Sequence, residues 1–111
     1  MRYRYLTHEA FAPHDRLVLE GTVLHEMYVV SSGGFAVTSL ARGIAQKLTA
    51  GMSIGEGCLL RRRPIAVSVV AEMASETAKL DEPRFLQLVT DYPQVHYRMC
   101  KYVTYTRPDW Y

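Results

Sequence analysis

The sequence predicts a single, mainly β domain with helices towards its C-terminal end. Three observations lead there. β-prone segments recur through the first two thirds, divided by glycine-bearing turns about every 8–12 residues. From Glu82 the apolar spacing becomes helical. The chain has 111 residues, 49% hydrophobic and 22% charged, enough for one modest core. Strands first and helices last fit a mainly β or α+β domain, and the regular turns suggest a sandwich, roll or barrel.

The elements follow in order. Arg16–Gly21 (RLVLEG) is β-prone and closes on a Glu20-Gly21 turn. Met27–Val30 and Phe35–Leu40 are two strands, and Ser31–Gly34 between them is expected to form a hairpin loop. Ile44–Gly51 is a weaker strand ending in a turn. Ile65–Glu72 (IAVSVVAE) has the strongest β-propensity, because β-branched side chains suit a pleated surface. Glu76–Asp81 is the last strand.

The helix from Glu82 places Phe85, Leu86, Leu88 and Val89 on one broad face. Asp81 is suited to cap it, and Pro83 costs nothing in a first turn, where its missing N–H would have no helical partner. Tyr92-Pro93 ends it, since the residue before proline avoids the helical region. A second helix is expected from Pro93, with Val95, Met99, Tyr102 and Val103 at helical spacing, stopped by Pro108.

Composition narrows the function. A net charge of +2 is too mild to imply nucleic acid, and the basic residues are dispersed apart from Arg61, Arg62 and Arg63. The apolar runs fall short of the roughly 20 residues a membrane span needs, so no direct membrane insertion is expected. The start, MRYRYLTHEA, lacks the apolar segment of a signal peptide. A cytoplasmic location is expected, and the ends read as those of a fragment. Cys58 and Cys100 have no zinc-ligand spacing and are expected as thiols. His8, His14, His25 and His96 form no metal or triad pattern, so neither a metal site nor an enzyme is expected. The tyrosines near the ends (Tyr3, Tyr5, Tyr97, Tyr102, Tyr105) are expected at the seam between helices and strands.

The stretches FAPHDRLVLEGT, EMYVVSSGGFAV and LTAGMSIGEGCLL, in that order, resemble a cyclic-nucleotide-binding domain. The marks are Pro13, Asp15, Glu20-Gly21, Met27-Tyr28, Gly33, Leu48, Gly51, Gly55-Glu56, Leu59-Leu60, Ser68, Val69, Ala71 and Leu80. The likeness runs from Leu6 to about Val103. Tyr92-Pro93 after an amphipathic helix is most similar to the branch hung from potassium and cation channels, the hyperpolarisation-activated and cyclic-nucleotide-gated type above all. The resemblance implies an eight-stranded β-roll of the jelly-roll kind, one domain over residues 1–111. It also implies a phosphate cassette at 55–69 with a short helix, and C-terminal helices at about 82–106.

It further implies that Gly55, Glu56, Gly57, Cys58, Ile65, Ala66 and Ser68 meet a cyclic nucleotide, cAMP or cGMP. Gly55 lets the backbone come close. The start of the helix from Glu56 to Leu60 presents unpaired N–H groups to an anion. In the family, the acid matching Glu56 accepts from the ribose hydroxyl, and an arginine then holds the phosphate by bidentate hydrogen bonds. Aligned without a gap, that arginine falls on Ile65. Either Arg63 or its neighbours substitute for it, or the pocket binds the nucleotide weakly or not at all. The second reading is preferred, because Pro64 fixes the local path. Ala66, in place of a threonine that favours cGMP, leans towards cAMP.

The Glu56 carboxylate reads alternatively as a first-turn acid, the arginines as a solvated loop, and Cys58 as a small packed residue. The family closes its pocket with a further helix, which TRPDWY cannot supply through Pro108; Trp110 or Tyr111 as a surrogate occupant is the alternative. The expected function is therefore regulatory, within a parent channel that supplies any homo-oligomer. Two alternatives remain open. One is a sensor of the kind found in cyclic-nucleotide-dependent kinases or bacteria. The other is a structural assembly module with an empty pocket.

Overall fold

The computed structural model describes residues 7–39, 41 and 43–92. Eight strands form two four-stranded antiparallel sheets. The first holds β1 (Thr7–Phe11), β8 (Ser75–Asp81), β3 (Glu26–Ser32) and β6 (Ser53–Ile54), in that order. The second holds β2 (Arg16–Val18), β7 (Ser68–Ala71), β4 (Gly34–Ser39) and β5 (Ile44–Thr49). Helix α1 (Glu56–Arg61) interrupts the run of strands, and α2 (Glu82–Asp91) follows it.

The apolar pattern explains the layering. Along β3, Tyr28 and Val30 point into the core between the sheets, while Met27 and Val29 point the other way. Side chains alternate across a strand, so four successive apolar residues mean that both faces are covered. The inner core gathers Val18, Leu24, Phe35, Val37, Leu48, Ile54, Val67, Val69 and Ala71. Phe11 meets Phe35 edge-on, with centroids 5.5 Å apart at 80°, the arrangement ring quadrupoles favour. A second, smaller core lies outside the first sheet. There Met27 and Leu80 meet Leu59 of α1 and Phe85 and Val89 of α2.

The structure corrects the expected hairpin. β3 pairs with β8 and β6, and β4 pairs with β5 and β7, so the two strands belong to different sheets. The chain turns a corner at Gly33, whose φ is +84°. The strand expected at Ile65–Glu72 begins only at Ser68; Ile65 and Val67 are buried in irregular backbone. The strand expected to run to Gly21 stops at Val18. β1 and β6 had no local signal.

At α2 the expectation holds. The Asp81 carboxylate accepts from the Arg84 N–H at 2.9 Å, and Pro83 lies in the first turn. Asp81→Ala is expected to cost about 1 kcal/mol, the usual value of an N-cap. A lowered denaturant midpoint at unchanged slope checks it. The expected helix beyond Pro93, the terminal tyrosines, Cys100, Trp110 and Tyr111 lie outside the described residues.

Candidate functional site

The cassette is built from β6 through α1 to the start of β7. Gly55 sits at φ +102° directly behind β3. A Cβ there would stand 3.1 Å from the Glu26 carbonyl, 3.2 Å from Leu24 Cδ1 and 3.3 Å from Met27 Cα. Both the conformation and the close approach call for glycine. The chain then enters α1, whose Glu56, Gly57, Cys58 and Leu59 are all buried. Leu59 faces the outer core beside Phe85, and Cys58 faces the inner one. The helix ends on Arg62 in the left-handed region, and the Arg63 N–H donates to the Cys58 carbonyl at 3.2 Å.

Glu56 is 2% exposed, and Ser53 Oγ donates to its Oε1 at 2.9 Å. It is a buried, hydrogen-bonded acid and also stands in the first turn of α1, so both readings of Glu56 stay open. Burial pushes the Cys58 thiol up; the Arg63 charge opposes this, Glu56 adds to it, and Arg61 opposes it. Cys58 is thus a packed neutral thiol, with little thiolate to react.

Ile65 is 1% exposed and belongs to the inner core. Its N–H donates to the Thr22 carbonyl at 3.0 Å, and its carbonyl accepts from the Gly21 N–H at 2.7 Å. The position is therefore tied by two bonds to the turn after β2. Ala66 is half-buried against the same core. Ser68 Oγ accepts from the Glu20 N–H at 2.9 Å, so this hydroxyl also serves the turn. Arg61, Arg62, Arg63 and Pro64 are exposed. The structure thus sets Gly55 against the start of β3 and packs Cys58 and Ile65 into one inner core, with Glu56 buried at the start of α1. It leaves the three arginines on the outside of the cassette.

A family model described as "Cyclic nucleotide-binding domain" matches residues 8–92. The chain belongs to this family. The mouse potassium/sodium hyperpolarization-activated cyclic nucleotide-gated channel 2 is 33% identical over 91 residues. That covers 81% of this chain and 10% of the channel, so the chain spans about a tenth of such relatives. Among solved structures, the catabolite activator protein of Thermus thermophilus superposes with a TM-score of 0.81 at 21% identity, over 91% of this chain and 49% of that one. The regulatory subunit of a cAMP-independent protein kinase A from Trypanosoma brucei gives 0.73 at 22%, over 96% and 39%. These likenesses show the fold, the expected β-roll of the cyclic nucleotide-binding family. The relatives are channel and regulatory domains. Among the described residues no helix is long and apolar enough to cross a membrane, and no group of three His, Cys, Asp or Glu could hold a metal ion.

A groove of about 450 Å³ opens between β2 and the segment leading into β3. It is lined from Arg16 to Leu19 and from Thr22 to Glu26, with Tyr28 behind, and by no residue of the cassette. The only hint in the sequence is a pair of apolar residues, Leu19 and Val23, flanking a turn.

Proposed function

We propose that this domain is a regulatory module of a longer, cytoplasm-facing channel protein, with a cassette that no longer grips a cyclic phosphate. The observation that carries the reading is Ile65. At the place of the phosphate arginine stands an apolar side chain sunk in the core, its backbone pinned to Gly21 and Thr22. Losing a charge-assisted pair to a phosphate costs about 1.5–3 kcal/mol. That is roughly tenfold to a hundredfold in affinity.

Glu56, buried and held by Ser53, would be the ribose acceptor, and Gly55 would let the backbone come close to the ligand. Gly57, Cys58 and Ala66 would wall the base and sugar, Ala66 favouring cAMP. Ser68 is engaged by Glu20, and Arg63, exposed at the end of α1, lies with its backbone N–H on the Cys58 carbonyl. Regulation would then work by population shift. Any contact that favours one placement of α1 is felt at α2, because Leu59 and Phe85 share one small core. The fold is shared by the regulatory subunit of a cAMP-independent protein kinase A from Trypanosoma brucei.

Calorimetric titration of the native chain and Ile65→Arg with cAMP and cGMP tests this. The native chain is expected to show no saturable heat at micromolar nucleotide. The variant is expected to melt lower, since it forces a cation into an apolar site, and to bind at least about tenfold more tightly. Nucleotide should restore part of its melting point. Low-micromolar binding by the native chain would overturn the reading. A folded variant that binds no better would show that the alignment through 55–69 is shifted.

A further inference from the structure

We propose that Glu20 is a positioning residue of the cassette: it straps the turn after β2 across three strands and so fixes residue 65, a role that rests on the cassette being the regulatory site proposed above. In the second sheet β7 lies between β2 and β4. Val18 of β2 stands opposite Val69, and Thr38 of β4 stands opposite Ser68. The chain past β2 therefore passes the start of β7, where the cassette ends. Glu20 is held there by both of its ends. Its N–H donates to Ser68 Oγ on the middle strand at 2.9 Å. Its carboxylate reaches one strand further and accepts from Ser39 Oγ, at the end of β4, at 3.1 Å.

The next two residues hold the cassette. The Gly21 N–H donates to the Ile65 carbonyl at 2.7 Å, and the Ile65 N–H donates to the Thr22 carbonyl at 3.0 Å. Both backbone polar groups of Ile65 thus end on this turn, and Glu20 ties the turn to the sheet.

Polar bonds carry the turn because little apolar packing does. Leu19 is 47% exposed and Val23 58%, one on each side of it. A Cβ at Gly21 would meet nothing within 4 Å. Ser39, by contrast, is buried, and its hydroxyl needs a partner. A carboxylate supplies one about twice as strong as a neutral acceptor. Glu20 is half-buried, which shields the bond from solvent. Loosening Glu20 frees the turn, and with it the backbone of residue 65, where the family's phosphate arginine would stand.

Hydrogen exchange of the whole chain, followed amide by amide, tests this. Glu20→Ala keeps the backbone bond to Ser68 and removes only the carboxylate. Protection at the Gly21 and Ile65 amides is expected to fall about tenfold, with the β1–β8 ladder unchanged. Ser39→Ala should lose as much, and the double variant no more, since both remove one contact. Glu20→Gln, which keeps a carbonyl acceptor, should restore most of the protection. In the Ile65→Arg background, Glu20→Ala should weaken cAMP binding about tenfold by calorimetry, and Glu20→Gln much less. Unchanged protection at Gly21 and Ile65 in Glu20→Ala would overturn the proposal. So would an equal loss in Glu20→Gln, a loss spread evenly over both sheets, or undiminished cAMP binding by Ile65→Arg with Glu20→Ala. If Ile65→Arg alone binds no nucleotide, the reading of the cassette falls instead, and exchange at these two amides still decides whether Glu20 positions residue 65.

Discussion

Replacing Gly33 by alanine is expected to cost about 2–5 kcal/mol and to lower the melting temperature by roughly 10–20 °C. Two costs add. At φ +84° a side chain is strained, by about 1–2 kcal/mol. The new Cβ would also collide with Ser75 Oγ, lie 2.6 Å from Ser75 Cβ and lie 2.7 Å from the Ala74 carbonyl oxygen. The backbone oxygen cannot swing aside. Ser75 cannot either, because it is buried and its hydroxyl is committed. Ser75 Oγ accepts from the Gly34 N–H at 3.0 Å and donates to the Met73 carbonyl at 2.8 Å. Gly34→Ala is the control one residue on. There a Cβ would find only Met73 Cε at 3.5 Å and the Leu48 carbonyl at 3.7 Å, ordinary contacts, so little change is expected. Thermal melts of the two variants decide it: equal melting points would mean that the corner yields.

That same corner shows where the sequence stops being legible. Ser31–Gly34 announces a turn, and a turn is there, but a hairpin and a sheet-to-sheet corner begin with the same local chemistry. Only the pairing of β3 with β8, more than 40 positions on, chooses between them. The strands that went unread are short or edge-bound. β1 exposes four of its five residues and is held by its ladder to β8, and β6 has two residues. At Ile65–Val67 β-branched side chains suit a strand, but ladder pairing begins only at Ser68, and Ile65 and Val67 are buried in irregular backbone. By contrast Asp81, Pro83 and Phe85 act within one or two turns of chain, and that helix was readable from its residues alone. The short helix after Gly55 was legible through the resemblance, and α1 begins at Glu56. The groove arises from two walls diverging into different sheets, a relation that no window of sequence contains.

Phe85→Ala is expected to cost about 3–5 kcal/mol, with the loss concentrated at α2. Phe85 is fully buried, and its partners are Met27, Leu59, Leu80 and Val89. Of these, only Val89 belongs to its own helix. A helix of ten residues does not hold its shape in water unaided. Its order comes from this contact and from the Asp81 cap. The outer core is separate from the cluster around Phe35, so the roll retains its own apolar burial when Phe85 is cut back. Native-state hydrogen exchange should then show α2 amides losing most of their protection while those of β4 and β7 keep theirs. Leu86→Ala, at an exposed position on the same helix, should change neither. Uniform loss across both sheets would mean that the two cores unfold as one. Unchanged protection in α2 would mean that something other than Phe85 anchors it. If the loss is confined to α2, Leu59 loses its bulkiest neighbour as well, and the outer core through which α1 meets α2, with Leu60 and Leu88 packed against it, is loosened. The variant would then separate the cassette from the helix it is proposed to move, while leaving the β-roll that carries both intact.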